Sequence, residues 1–242
     1  MVLKLNDVTV VYPDKTKAVD GISFAASEGE NIALIGENGA GKTTLLLAIA
    51  GILETIKGSI ETDDIQLTKK TINEIRKKIG FVFQNPDDQL FMPLVYDDIA
   101  FGCRNLGMTE EEIKNKVDET LNLLNISHLR NRSSLKLSEG EKRMAAIAAV
   151  LAMNPSILMF DEPTAFLDHR ARRNLIETLR KLKHTKIIVT HDMRFASCVC
   201  DRVIILKNGQ IAAEGSRAIL HDTELMLNCG LDALEGECKT NV

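Results

Sequence analysis

Apolar positions follow two rhythms along this chain. Val2–Val11 and Ala18–Ala26 are alternating or apolar runs separated by the turn signal Pro13-Asp14, and they predict an antiparallel strand pair. From Asn31 the rhythm shifts to short apolar runs, at Asn31–Ile35, Lys78–Gln84, Ser156–Asp161 and Lys186–Thr190, which predict buried strands. Helical spacing lies between them, from about Thr43 to Gly51, over Glu139–Met153 and over Arg170–Leu182. Strands alternating with helices imply a parallel sheet covered on both faces. Between about 85 and 135 the strand signal vanishes, and Tyr96–Leu106 and Glu110–Leu124 carry helical spacing, with Thr109 placed to cap the second. The expected fold is α/β: a parallel-sheet core with an N-terminal antiparallel β subdomain, a helical insertion and a short tail after about Asp222.

Composition narrows the function more than the fold. The 242 residues, 45% hydrophobic and 26% charged, have the balance of a globular domain and exclude disorder, collagen and coiled coil. The 30 basic and 34 acidic residues give a net charge of −4, with no basic block, and aromatics reach only 4% with no tryptophan. That leaves neither an electrostatic footprint nor stacking platforms for nucleic acid, so no nucleic-acid partner is expected. The longest uncharged apolar stretches, Leu45–Leu53 and Met144–Met153, fall far short of the roughly 20 residues that span a bilayer. The opening Met-Val-Leu-Lys-Leu-Asn-Asp has no basic segment leading into an apolar core, so no secretory leader is expected and the chain reads as cytoplasmic. Cys103, Cys198, Cys200, Cys229 and Cys238 show no metal-ligand spacing and read as reduced thiols, with Cys198-Val-Cys200 as small buried side chains.

The chemistry begins at Gly36-Glu-Asn-Gly-Ala-Gly41-Lys42-Thr43, which matches G-x-x-x-x-G-K-[ST] after one predicted strand and at the start of one helix. Glycines let successive N–H groups turn inward on phosphate oxygens, and the helix N-terminus adds its positive end. Gly36, Asn38, Gly39, Gly41, Lys42, Thr43 and Thr44 are the candidate phosphate contacts, with Lys42 for the β- and γ-phosphates and the Thr43 hydroxyl for Mg²⁺. Farther on, Ile157-Leu-Met-Phe160 ends in Asp161-Glu162, placing two carboxylates at the carboxyl edge of the sheet, where α/β ligands bind. Asp161 suits the Mg²⁺ shell and Glu162 the activation of a water. His191 and Gln84 also follow predicted strands, as polar groups at the same edge. Any one of these alone reads as a turn or packing residue; with the phosphate loop they form a set.

That set resembles an ATP-binding cassette ATPase, the nucleotide-hydrolysing subunit of ABC transporters, from Tyr12 to about Gly215. The most specific element is Leu137-Ser138-Glu139-Gly140-Glu141, which looks like the cassette signature at a helix start. The resemblance implies a P-loop NTPase fold in one domain over 1–242, with ATP and Mg²⁺ as ligands. It implies a head-to-tail dimer, homodimeric or with a related ATPase, in which Ser138 and Gly140 close on ATP held by the partner. It further assigns Tyr12 to stacking on adenine, Gln84 to Mg²⁺ and to the membrane subunit, Glu162 to the base, Asp168 to the interface loop and His191 to the switch. Glu139 and Glu141 depart from the usual L-S-G-G-Q, yet Ser138 and Gly140 are kept, so hydrolysis is expected with altered dimer affinity.

Within the insertion, Gln84-Asn-Pro-Asp-Asp-Gln-Leu-Phe91 and Val95-Tyr-Asp-Asp-Ile-Ala-Phe-Gly102 look similar to the ATPase subunits of energy-coupling-factor importers, including those for cobalt and nickel. This resemblance implies a peripheral position on the cytoplasmic face of the membrane, an integral membrane coupling subunit as partner, and metal ions or a vitamin as cargo. Leu90, Phe91, Met92, Leu94 and Val95 are expected to form either an apolar patch bordered by Asp87, Asp88, Asp97 and Asp98, suited to a basic amphipathic helix, or part of the helical insertion's own core, with the acidic border favouring docking. The alternative is a soluble cassette ATPase that drives assembly or remodelling, as in iron–sulfur cluster biogenesis, without a membrane partner.

Overall fold

The computed structural model describes residues 1–236. Leu3–Val11 (β1) and Lys17–Ala26 (β2) pair antiparallel across the predicted turn. Asn31–Ile35 (β3) then leaves for a second sheet, while Lys57–Thr62 (β4) and Ile65–Gln66 (β5) complete the first in the order β2-β1-β4-β5. The second sheet adds Ile79–Val82 (β6), Ile157–Asp161 (β7), Thr185–Val189 (β8), Arg202–Lys207 (β9) and Gln210–Ser216 (β10) in the order β10-β9-β3-β8-β7-β6. Its strands run parallel from β9 to β6, and β10 returns antiparallel at one edge.

The central strands are short and apolar because both faces are covered. Ile32, Leu34, Ile157, Met159, Ile187 and Val189 point into a core shared with β1, β2 and Lys42–Ile49 (α1). The alternate residues Ala33, Ile35, Leu158, Phe160 and Ile188 point into a second core on the other face. That core is built with Val95–Asn105 (α3), Glu110–Leu123 (α4), Glu139–Leu151 (α5), His169–Lys181 (α6) and Met193–Val199 (α7). Ile72–Lys78 (α2) precedes β6 and Thr223–Asn228 (α8) closes the described chain.

Helices α3 to α6 lie within two residues of their expected bounds, and Thr109 caps α4 in a capping box with Glu112. β4, β5, α2, β9, β10, α7 and α8 are additions to the expectation. The strand expected over Lys78–Gln84 stops at Val82 because the next two carbonyls leave the sheet. The buried Arg143 guanidinium takes both, donating to Phe83 O at 2.5 Å and Gln84 O at 2.6 Å. Cys103, Cys200 and Cys229 are free and buried. Cys198 is disulfide-bonded, which corrects its reading as a reduced thiol; Cys238 lies outside the described residues. Among the described residues no helix is long and apolar enough to cross a membrane.

Candidate functional site

β3 ends at Ile35 and the chain turns into α1 through the glycine-rich loop. A Cβ at Gly36 would collide with the Leu206 carbonyl oxygen and one at Gly41 with that of Ala18, and both residues have positive φ, +153° and +97°. Glycine is thus required where the loop is pressed between its neighbours. One neighbour is the β9–β10 turn at Asn208-Gly209, where Gly209 N–H donates to Ala40 O at 3.2 Å and Gly209 O accepts from Asp20 N–H at 2.8 Å. Inside the loop Lys42 Nζ donates to Gly36 O at 2.8 Å and Glu37 O at 2.9 Å. An ammonium has three donors, so one is left for an incoming oxygen. Burial lowers the Lys42 pKa, against the opposing pull of the Glu162 and Asp161 charges.

The end of β7 meets the start of α1. Thr43 Oγ1 lies 3.1 and 3.0 Å from the two carboxylate oxygens of Asp161, so hydroxyl and carboxylate oxygens converge at one point. An all-oxygen donor set of this kind fits Mg²⁺. Burial raises the Asp161 pKa, with the Thr43 hydrogen bond opposing it. Glu162 then takes φ +44°, and its N–H donates to Val189 O at 2.9 Å. A left-handed backbone at a residue with a long side chain is strained by about 1–3 kcal/mol and persists only where the surroundings fix it. Here it turns the carboxylate toward the end of β8, where Glu162 Oε2 lies 2.8 Å from His191 Nδ1 and accepts the His191 backbone N–H at 3.3 Å. The His191 side chain is 73% exposed, whereas Glu162 is largely covered.

These groups surround a cleft of ≈ 1260 Å³. Tyr12, Gly36, Asn38, Gly39, Gly41, Lys42, Thr43, Thr44, Gln84, Glu162 and His191 all line it, and Asp161 stands behind Thr43. The Tyr12 hydroxyl shares a hydrogen bond of 2.9 Å with Thr44 Oγ1. Thr16, Lys17, Ala18, Asn208, Gly209 and Leu231 also line the cleft and were not expected there. The Asn-Gly pair between apolar runs is a hairpin signal that could have located Asn208 and Gly209; Leu231 has no such signal.

Three expected residues stand apart from this cleft. Ser138 is the N-cap of α5, in a capping box: Glu141 Oε2 accepts from the Ser138 N–H at 2.8 Å and from its hydroxyl at 2.9 Å. Gly140 lies in the first turn of the same helix. Asp168 is the N-cap of α6, its carboxylate accepting from Ala171 N–H at 2.7 Å.

Residues 19–165 match the ABC transporter family. This chain belongs to that family. The energy-coupling factor transporter ATP-binding protein EcfA of Carboxydothermus hydrogenoformans is 41% identical over 236 residues, covering 96% of this chain and 87% of that protein. CbiO1 of Clostridium perfringens, a part of the ABC transporter complex cbiONQ, is similar with a TM-score of 0.83 and 37% identity, over 94% of this chain and 93% of that one. An ATP-binding cassette solved as a dimer in a post-hydrolysis state with ADP and Pi is similar with a TM-score of 0.79 and 29% identity, over 89% and 98% of the two chains. The ABC cassette described here is therefore an ATPase, and its nucleotide is ATP.

The insertion of this ABC cassette carries an exposed aromatic surface that is smaller than expected. Phe91 is 63% exposed and Phe101 38%, and their rings meet edge to face with centroids 5.0 Å apart; Phe83 is exposed nearby in sequence. Leu90 and Val95 instead belong to the core, Val95 as the first residue of α3. Asp98 is buried too, its Oδ1 accepting the Phe91 and Met92 N–H groups at 2.9 Å each. Asp87 is paired with Lys142 at 2.8 Å. The acidic border thus reduces to Asp88 and Asp97, since the other two carboxylates are spent on holding the loop.

Proposed function

We propose that this cassette is the ATPase component of an energy-coupling-factor type importer, peripheral on the cytoplasmic face of the membrane, carrying cobalt or nickel ions or a vitamin. The observation that carries this reading is the exposed Phe91–Phe101 pair on the insertion that follows Gln84, in a chain 41% identical to an EcfA protein. Unpaired aromatic surface of this kind marks a place for a partner. An amphipathic helix of an integral membrane subunit, basic opposite Asp88 and Asp97, fits it.

In the cleft, the loop N–H groups and Lys42 hold the phosphates of ATP, Tyr12 takes the base, and Thr43, Asp161 and Gln84 are the residues that would hold Mg²⁺. Mg²⁺, when bound, neutralises charge on the phosphate oxygens. Glu162 accepts the proton of the attacking water, and the His191 N–H groups keep its carboxylate aimed. Ser138, Gly140 and Asp168 lie outside their own cleft and serve the site of a second cassette, a copy or a related ATPase, in a head-to-tail dimer.

Co-purification tests the importer reading. The full chain, tagged and extracted in mild detergent, should bring down an integral membrane protein, and Phe91→Asp with Phe101→Asp should lose it. Recovery of soluble assembly factors alone, unchanged by the two substitutions, would favour the remodelling ATPase instead.

A further inference from the structure

The His191 side chain reaches into open solvent, so its aim depends on the residues that flank it. On one side Thr190 is buried, and its hydroxyl accepts the Asp192 N–H at 3.0 Å. On the other side Asp192 is held by Arg172 of α6 in a two-pronged ion pair, Nε to Oδ2 at 2.6 Å and Nη2 to Oδ1 at 2.8 Å. Both side chains are about three-quarters covered, at 26% and 22% exposure. Planar, double hydrogen bonding of this kind fixes direction as well as distance.

Asp192 also caps α7, Oδ1 accepting the Phe195 N–H at 2.9 Å. That cap needs only an acceptor oxygen, so the guanidinium is surplus to it. Its position in α6 suggests another use. Asp168 caps this helix, a Cβ placed on Gly140 would stand 2.8 Å from that of Ala171, and Arg172 follows directly. Of the residues proposed to face a second cassette, Asp168 thus begins the turn that grips the His191 loop, and Gly140 of α5 packs against it.

We propose that the Arg172–Asp192 ion pair is a positioning device for His191, fixing the loop that carries it to the first turn of α6. Neither residue touches ATP; both act through the imidazole and, beyond it, the Glu162 carboxylate. The inference rests on the proposed role of His191 in hydrolysis.

The test is a double-mutant cycle on the full chain, read as kcat and KM for ATP with a thermal melt of each protein. Arg172→Ala and Asp192→Ala should each lower kcat about tenfold, the scale of a modest misplacement of a reacting group, with KM changed less than about threefold. The double variant should fall no further than the lower single one, because the two act as one unit. Asp192→Asn keeps the oxygen that caps α7 and guards against misfolding; it should lose kcat while melting within a few degrees of the parent. Arg172→Lys should recover only part of the loss. Parental kcat in Arg172→Ala or Asp192→Asn, or losses that multiply in the double variant, would overturn the proposal. His191→Ala separates the two readings: full turnover there removes the role of His191 itself, whereas lost turnover there beside intact turnover in the Arg172 variants removes only the positioning pair.

Discussion

At the scale of the residue, the cleft divides labour between groups that bind and groups that react. Lys42 is covered, tethered to two carbonyls and drawn by two carboxylates, so its charge is meant for a dense anion. Hydrogen bonds to charged partners contribute about 1.5–3 kcal/mol, so Lys42→Ala should weaken ATP binding at least about tenfold in an equilibrium titration with a fluorescent ATP analogue. Unchanged affinity would falsify its assignment. Glu162→Gln should behave oppositely: the cradle remains, while loss of a positioned base lowers turnover by about 10²–10⁴-fold in a phosphate-release assay. Most of these residues were legible because each follows a strand within one short motif, as with Gly36–Thr43 and Asp161-Glu162. Lys17 and Leu231 were not, since only the crossing of β2 and the segment after α8 brings them to the cleft.

At the scale of the element, capping explains how the unusual signature is accommodated. The Glu141 carboxylate is occupied by Ser138, whose backbone N–H and hydroxyl lower its pKa, and Glu139 lies 3.2 Å from Lys142. Neither acid presents a free charge on the scale its formal count suggests. Ser138→Ala should cost about 1 kcal/mol in denaturant unfolding through loss of the cap, while Glu141→Gln retains an acceptor for the Ser138 N–H and should cost much less. The start of α3 offers a test by pH. Burial raises the Asp98 pKa, the Met92 and Phe91 amides oppose it, and the neighbouring Asp97 adds to the rise. A carboxyl whose folded pKa lies above its unfolded one contributes stability below the unfolded value, and that contribution is lost as pH rises through the folded value. Asp98→Asn should therefore show a flatter dependence of melting temperature on pH as the pH rises above about 4, the ordinary carboxyl value; an unchanged slope would remove Asp98 as its source. Helices α1 and α3 to α6 were legible from their spacing and caps, whereas β4 and β5 are short and polar, and the pairing of β4 with β1 depends on contacts far along the chain.

At the scale of the whole molecule, one sheet separates two cores, and the alternation of its strands assigns each residue to a face. A slip of one residue in β3, β7 or β8 would exchange the two sets of side chains, so the register that places the phosphate loop is strongly determined. The alternation and the parallel sheet were legible early from the residues themselves; the division into cleft and distant cap residues was expected only from the family resemblance, because it follows from where α5 and α6 begin in space. If Ser138, Gly140 and Asp168 complete a second cassette's site, Glu162→Gln with ATP should accumulate a species of twice the mass in light scattering, and a monomer at all ATP concentrations would contradict that pairing. The strand that carries the phosphate loop has a further consequence in time. β3 finds its neighbours only in β8 and β9, with Asn31 and Lys186 155 positions apart. While the chain is being synthesised, the glycine-rich loop therefore emerges long before anything can hold its shape. Nascent chains should stay blind to nucleotide until the β9–β10 turn has cleared the ribosome, so the competence to bind ATP itself reports that β8 and β9 have been made and have found β3.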